Sequence, residues 1–186
     1  MQVEALMSNV SPLAALRDSL ARDRAALHAA VDRVPAALRT QKPAPDQWSV
    51  QEVLEHLTLV EGRSAMLVRA LAEAAPSFGD AAAVDPTAVD RSLFSNRAMK
   101  ISAPEPIQPT GTMSVEAALA ALESARAQLL AVLDAAEGKD LSKVSRPHPA
   151  LGPLDGYQWI GALGAHEMRH TLQIDDIHAA LTRGPR

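Results

Sequence analysis

The chain has no cysteine among its 186 residues. Disulfides, thiolate metal ligands and a cysteine nucleophile are therefore excluded, and any metal site must be built from His, Asp and Glu. Aromatic residues are scarce at 3%, whereas alanine and leucine dominate an apolar fraction of 47%. Strands favour aromatic and β-branched residues and helices favour alanine and leucine, so the composition points to an all-α fold. A basic excess is missing too. A net charge of −4 and a pI near 5.8 leave no basic stripe for nucleic acid. No apolar run approaches the ~18 residues of a membrane span. Met1-Gln2-Val3-Glu4 offers neither a basic n-region nor a continuous apolar stretch, so no signal peptide and a cytoplasmic location are expected. The remainder fits one globular domain, expected over residues 10–182.

Four amphipathic segments carry helix signals. The first opens at Ser11-Pro12, an N-cap with proline at the first helical position. Its stripe of Leu13, Leu16, Leu20, Leu27, Val31 and Val34 ends before Pro35. The second opens on Ser49-Val50-Gln51-Glu52, a capping box, with an inward face of Val53, His56, Leu59, Val60, Leu67 and Leu71, and stops before Pro76. The third runs from Ser114, with Glu116 in its first turn, through Leu119, Leu122, Leu129, Leu130 and Leu133 to Gly138. The fourth is capped near Asp155, carries Trp159, Leu163, His166, His170, Ile174 and Ile177, and ends before Gly184. Residues 139–154 read as loop. Residues 76–113, with five prolines, read as a long connection with a short helix around Asp90–Lys100. Such a connection lets helices two and three run parallel in a four-helix bundle, and long connections are often functional.

The histidines carry the chemistry. His166 and His170, in His166-Glu167-Met168-Arg169-His170, lie one turn apart on the apolar face of helix four, a spacing at which both can ligate one metal ion. His56 occupies a core position on helix two. A lone histidine there is ordinarily a satisfied core residue, but three imidazoles entering one bundle each need a hydrogen-bond partner or a shared metal. A shared metal leaves open coordination positions, as catalytic sites do. His28 lies off its stripe and is expected in solvent. His178 lies eight residues beyond His170, about 12 Å along the axis and roughly 80° around it, too far for the same ion. His148, in Pro147-His148-Pro149, either covers the site or caps a turn.

The letters H-E-x-x-H also spell a zinc protease signature. That reading needs a further ligand, commonly downstream. Only 16 residues follow His170, with Asp175 and Asp176 on the same helical tail, and no sheet is available to align a peptide. Glu167 then has no automatic general-base role. It sits beside the metal, faces solvent, or pairs with Arg63 or Arg169. Glu52, one turn before His56, is a candidate partner for a ligand's second nitrogen, in competition with its capping box. Gln173 can touch a ligand or a water.

Three stretches together resemble the DinB-like family: Trp48 through Leu57, then His148-Pro149-Ala150-Leu151-Gly152-Pro153-Leu154, then Trp159 through His166-Glu167-Met168-Arg169-His170-Thr171-Leu172-Gln173-Ile174. The resemblance spans roughly residues 10 to 180 and rests on the order and spacing of these motifs. It implies an up-down-down-up four-helix bundle with a divalent metal on His56, His166 and His170. Some relatives are transferases or isomerases that use low-molecular-weight thiols such as bacillithiol or mycothiol, and many have no known activity.

The expected function is therefore a metal-dependent enzyme acting on a small molecule, with zinc, nickel, iron or manganese as the ion and a low-molecular-weight thiol as cosubstrate. A metal-dependent hydrolase and a non-catalytic, metal-stapled stress-response or binding module are the alternatives. Phe78, Phe94, Arg91, Arg97 and Lys100 of the long connection are candidate substrate contacts, or parts of a packing strap or homodimer surface. No nucleic-acid or membrane partner is expected.

Overall fold

Local capping chemistry sets the start of each helix. In the computed structural model, which describes residues 11–78, 91, 94 and 103–183, α1 spans Pro12–Arg33 and the Ser11 side chain accepts from the Leu13 N–H at 3.2 Å. Helix α2, Val50–Ala74, opens with the expected capping box, Ser49 Oγ taking the Glu52 N–H at 3.2 Å and Glu52 taking the Ser49 N–H at 2.8 Å. Helix α3, Val115–Ala135, is capped by Ser114. Helix α4, Gly156–Thr182, has a second capping box between Asp155 and Gln158, with both bonds at 2.9 Å.

Contacts between the helices fix their directions. Arg24 meets Glu167 and Arg33 meets Asp175, so α1 and α4 run parallel. Thr58 meets the Ala118 carbonyl, Glu61 meets Arg126 and Phe78 meets the Gly138 carbonyl, so α2 and α3 run parallel. Arg17 reaches Asp134 while Arg24 reaches Glu123, which makes α1 and α3 antiparallel. The result is the up-down-down-up bundle with a crossover between α2 and α3. No helix among the described residues is long and apolar enough to cross a membrane.

Two expectations need correction. Residues 139–154 are more than a loop: a 3-10 turn at Leu141–Lys143 leads into an antiparallel ribbon of β1, Ser145–His148, and β2, Gly152–Asp155, with Pro147 opposite Pro153. The prolines hid it, yet a two-stranded ribbon consists of edge strands, where proline is tolerated. Gly152 sits at φ +77° at the ribbon's turn, a conformation that favours glycine. The inward face of α2 is also broader than its stripe. Leu59, Val60 and Leu67 are half-buried, whereas Leu54, Leu57 and Val68 are buried. The helix packs against both α3 and α4, and the crossover covers a further side.

The described parts of that crossover behave as a strap. Arg91 makes a two-pronged ion pair with Asp23 on α1 at 2.6 and 3.1 Å, and Phe94 is buried in the core. Glu55 of α2 then accepts from the Thr110 N–H, the Thr110 hydroxyl and the Gly111 N–H. The short helix expected at 90–100, and Arg97 and Lys100 with it, lie outside the described residues apart from positions 91 and 94. The core itself forms two clusters. One gathers Leu13, Leu16, Leu20, Val68, Leu71, Leu129, Leu133 and Ile160; the other gathers Leu27, Val31, Val53, Leu54, Leu57, Leu122 and Ile174.

Candidate metal centre

Helix periodicity puts His166 and His170 one above the other on α4, facing His56 of α2. The His166 Nε2 lies 3.4 Å from His56 Nε2 and 3.2 Å from His170 Nε2. One nitrogen from each imidazole falls within 4.8 Å of the other two. Partners behind two of these rings fix which nitrogen is bare. His56 Nδ1 is 2.6 Å from the Ile107 carbonyl oxygen, which can only accept, so Nδ1 carries the proton. His170 Nδ1 stands 2.8 Å from Gln173 Oε1, a placement that suits the same tautomer. Neutral rings so oriented direct unprotonated Nε2 lone pairs into a common point.

Electrostatics keeps the rings neutral. Burial is the largest cause at all three, lowering His56, pushing His166 down to about 3 and pushing His170 well below its ordinary value. The mutual repulsion of neighbouring imidazoliums adds to the effect at His166 and His170. Three neutral, converging imidazoles form a donor set that fits a borderline divalent ion such as zinc, nickel or iron. The second nitrogens are held by a carbonyl and an amide, as oriented metal ligands usually are. Trp48 flanks the cluster, 4.9 Å from the His56 ring and stacked 6.3 Å from that of His170.

The other candidate residues distribute differently. Glu52 is committed to its capping box and to Lys42 at 2.7 Å, and the Ile107 carbonyl takes the place foreseen for it behind His56. Gln173 does touch a histidine of the cluster. His28 is half-buried and meets Glu123 at 2.9 Å. The His148 Nδ1 accepts from the Ala150 N–H at 3.1 Å, capping the ribbon turn, and its ring packs 5.0 Å from Trp159. Arg63 donates to the Pro106 carbonyl and Arg169 to that of Phe94.

Glu167 neither faces solvent nor pairs with those two arginines. It is 3% exposed and belongs to an ion quartet to which each helix contributes one member. Arg24 of α1 donates through Nε to Glu167 and through Nη2 to Glu61 of α2, both at 2.6 Å. Arg126 of α3 closes the circuit, bonding the other oxygens of Glu61 and Glu167. Spare guanidinium donors reach the Leu122 and Leu20 carbonyls. Burial opposes the Arg24 charge, but Glu167 and Glu61 hold its pKa above the usual value; burial raises the Glu61 carboxyl against the pull of Arg126 and Arg24. A cavity of about 10 Å³ is lined by His166, by Glu61, Arg126 and Glu167 of the quartet, and by three apolar residues.

Sequence reasoning missed Arg24, Glu61 and Arg126. A signal was present, since each continues an apolar stripe: Arg24 between Leu20 and Leu27, Glu61 between Leu57 and Ala65, and Arg126 between Leu122 and Leu129. Charges at core positions are rarely buried unless paired. The Ile107 carbonyl left no signal, because any residue supplies one.

Comparison with known proteins places the chain. Residues 19–174 match the DinB superfamily model. The chain is 29% identical over 144 residues to the uncharacterized protein YuaE of Bacillus subtilis (strain 168), a match covering 77% of this chain and 85% of that protein. A crystal structure of TT2238, described as a four-helix bundle protein, superposes with a TM-score of 0.59 at 23% identity, covering 88% of this chain and 98% of that one. The last likeness speaks to the fold alone. Matched over most of its length, the chain belongs to the DinB superfamily.

Proposed function

We propose that this protein binds a divalent transition-metal ion through His56, His166 and His170 and is a metal-dependent enzyme that joins a low-molecular-weight thiol to a small electrophile. The convergence of one ring nitrogen from each of three buried imidazoles carries the metal reading. When bound, the ion would supply Lewis-acid activation of a thiol or water. The chain's own contribution is orientation and charge. Ile107 and Gln173 hold two imidazoles in the ligating tautomer, and burial keeps them unprotonated. Trp48 shields one side of the cluster. The thiol reading rests on the resemblance to DinB-like relatives; with no cysteine in the chain, such a sulfur nucleophile must arrive as a cosubstrate. A hydrolase is the second reading, favoured by the cavity beside His166, which has room for about one water.

Metal analysis of protein purified without chelators, followed by titration with zinc, nickel, iron and manganese, tests the first step. One ion per chain is expected, with loss of binding in His56→Ala. No metal and no binding on titration would remove both enzymatic readings. A panel of electrophiles assayed with low-molecular-weight thiols then separates transferase from hydrolase. If the metal serves only to staple α2 to α4, its removal lowers the melting temperature by many degrees and no turnover appears.

A further inference from the structure

The ion quartet lies between the two apolar clusters. Leu20, Ala65 and Leu129 on one side of it belong to the first cluster, and Leu27, Leu57 and Leu122 on the other belong to the second. Nothing in the proposed chemistry uses it. Burying ions costs several kcal/mol each, and apolar replacements of such networks are often neutral or stabilising. Its members nevertheless have tightly specified geometry. Each guanidinium bridges both carboxylates, and each carboxylate uses both oxygens.

We propose that Arg24, Glu61, Arg126 and Glu167 are positioning residues for the three-histidine centre, fixing the rotation and depth of α2 against α4. This rests on the metal reading above. Glu167 directly follows His166 and precedes His170 by three positions, and Glu61 follows His56 by five. On a helix, where each residue turns about 100°, locking the direction of Glu167 locks those of His166 and His170 as well. Locking Glu61 does the same for His56. Leucines in these four positions would pack at several helix rotations, whereas two forked guanidiniums between two carboxylates close at one. Metal bonds tolerate about 0.2 Å, a narrower window than apolar packing enforces. His166 shares the lining of one small cavity with Glu61, Arg126 and Glu167.

The test compares metal affinity with stability. The apolar replacement Arg24→Met/Glu61→Leu/Arg126→Met/Glu167→Leu, the conservative Arg126→Lys and the unrelated core change Leu133→Ala are measured beside the natural chain. Zinc affinity is read by chelator competition and ligand geometry by the visible spectrum of the cobalt-loaded protein. Both are recorded at a temperature where each variant is folded by circular dichroism. The apolar replacement is expected to melt near or above the natural chain yet bind zinc about tenfold or more weakly, in the range seen when partners behind metal ligands are lost, with an altered cobalt spectrum. Arg126→Lys keeps the charge but not the fork, and is expected to lose affinity several-fold even if the fourfold variant does not fold. Leu133→Ala is expected to lose melting temperature and keep its affinity. Quartet variants that bind zinc within twofold of the natural chain, with superposable cobalt spectra, would overturn the inference. Failure of the natural chain to bind zinc or cobalt would instead overturn the metal reading on which it rests.

Discussion

Single contacts around the histidines have separable consequences. Gln173 holds the His170 Nδ1 at 2.8 Å, so Gln173→Leu releases the imidazole without touching a ligating atom. A roughly tenfold fall in metal affinity is expected, with little change in the melting of the metal-free protein; isothermal titration checks the first and calorimetry the second. Glu55 lies next to His56 in sequence but works on the crossover, accepting three donors from Thr110 and Gly111. Burial alone would raise its pKa, and those donors more than reverse the effect. Its stabilising bonds are therefore complete above the ordinary carboxylate range and lost as pH falls through its lowered value. Glu55→Ala removes all three bonds to the exposed Thr110 and Gly111 and should destabilise by about 1–2 kcal/mol, read as a shift in the urea midpoint at neutral pH. An unchanged midpoint would mean the strap is not held there.

Elements were legible in proportion to how local their signals are. Ser11, Ser49, Ser114 and Asp155 all cap helices where the sequence places them, because a cap involves only the next three residues. The His166 and His170 pair was equally plain, being a matter of one helix and its period. His56 required a second helix, and the quartet required all four at once, so nothing local to Arg24 or Arg126 pointed to the assembled quartet. The ribbon was hidden by Pro147 and Pro153, and its junction with α4 is tight. A Cβ added at Gly156 would lie 2.8 Å from Leu141 Cβ and 3.1 Å from its carbonyl oxygen. Gly156→Ala is therefore expected to cost about 1–3 kcal/mol, seen as a lower melting temperature; a melt equal to that of the natural chain would show that the turn yields.

For the whole molecule, the buried imidazoles make acid a denaturant of the metal-free form. Above the ordinary histidine pKa of ~6.5, folded and unfolded chains are both neutral at these positions and stability is unaffected. Below it the unfolded chain takes up protons that His166, with its pKa down at about 3, and His170 refuse. Stability should fall steadily from about pH 6.5 downward. Melting temperatures of the metal-free protein between pH 7.5 and 5 measure the slope, and because burial lowers His56 as well, His56→Leu/His166→Leu/His170→Leu should flatten it. A slope that survives the triple replacement would place the acid sensitivity elsewhere.

The hydrogen bond behind His56 comes from the peptide backbone at Ile107, not from a side chain. No point substitution can delete a carbonyl oxygen. Position 107 can thus change its side chain, altering what surrounds the centre, while the bond that orients its first histidine is kept. In this way a fixed histidine orientation and a replaceable side chain can share one short stretch of chain.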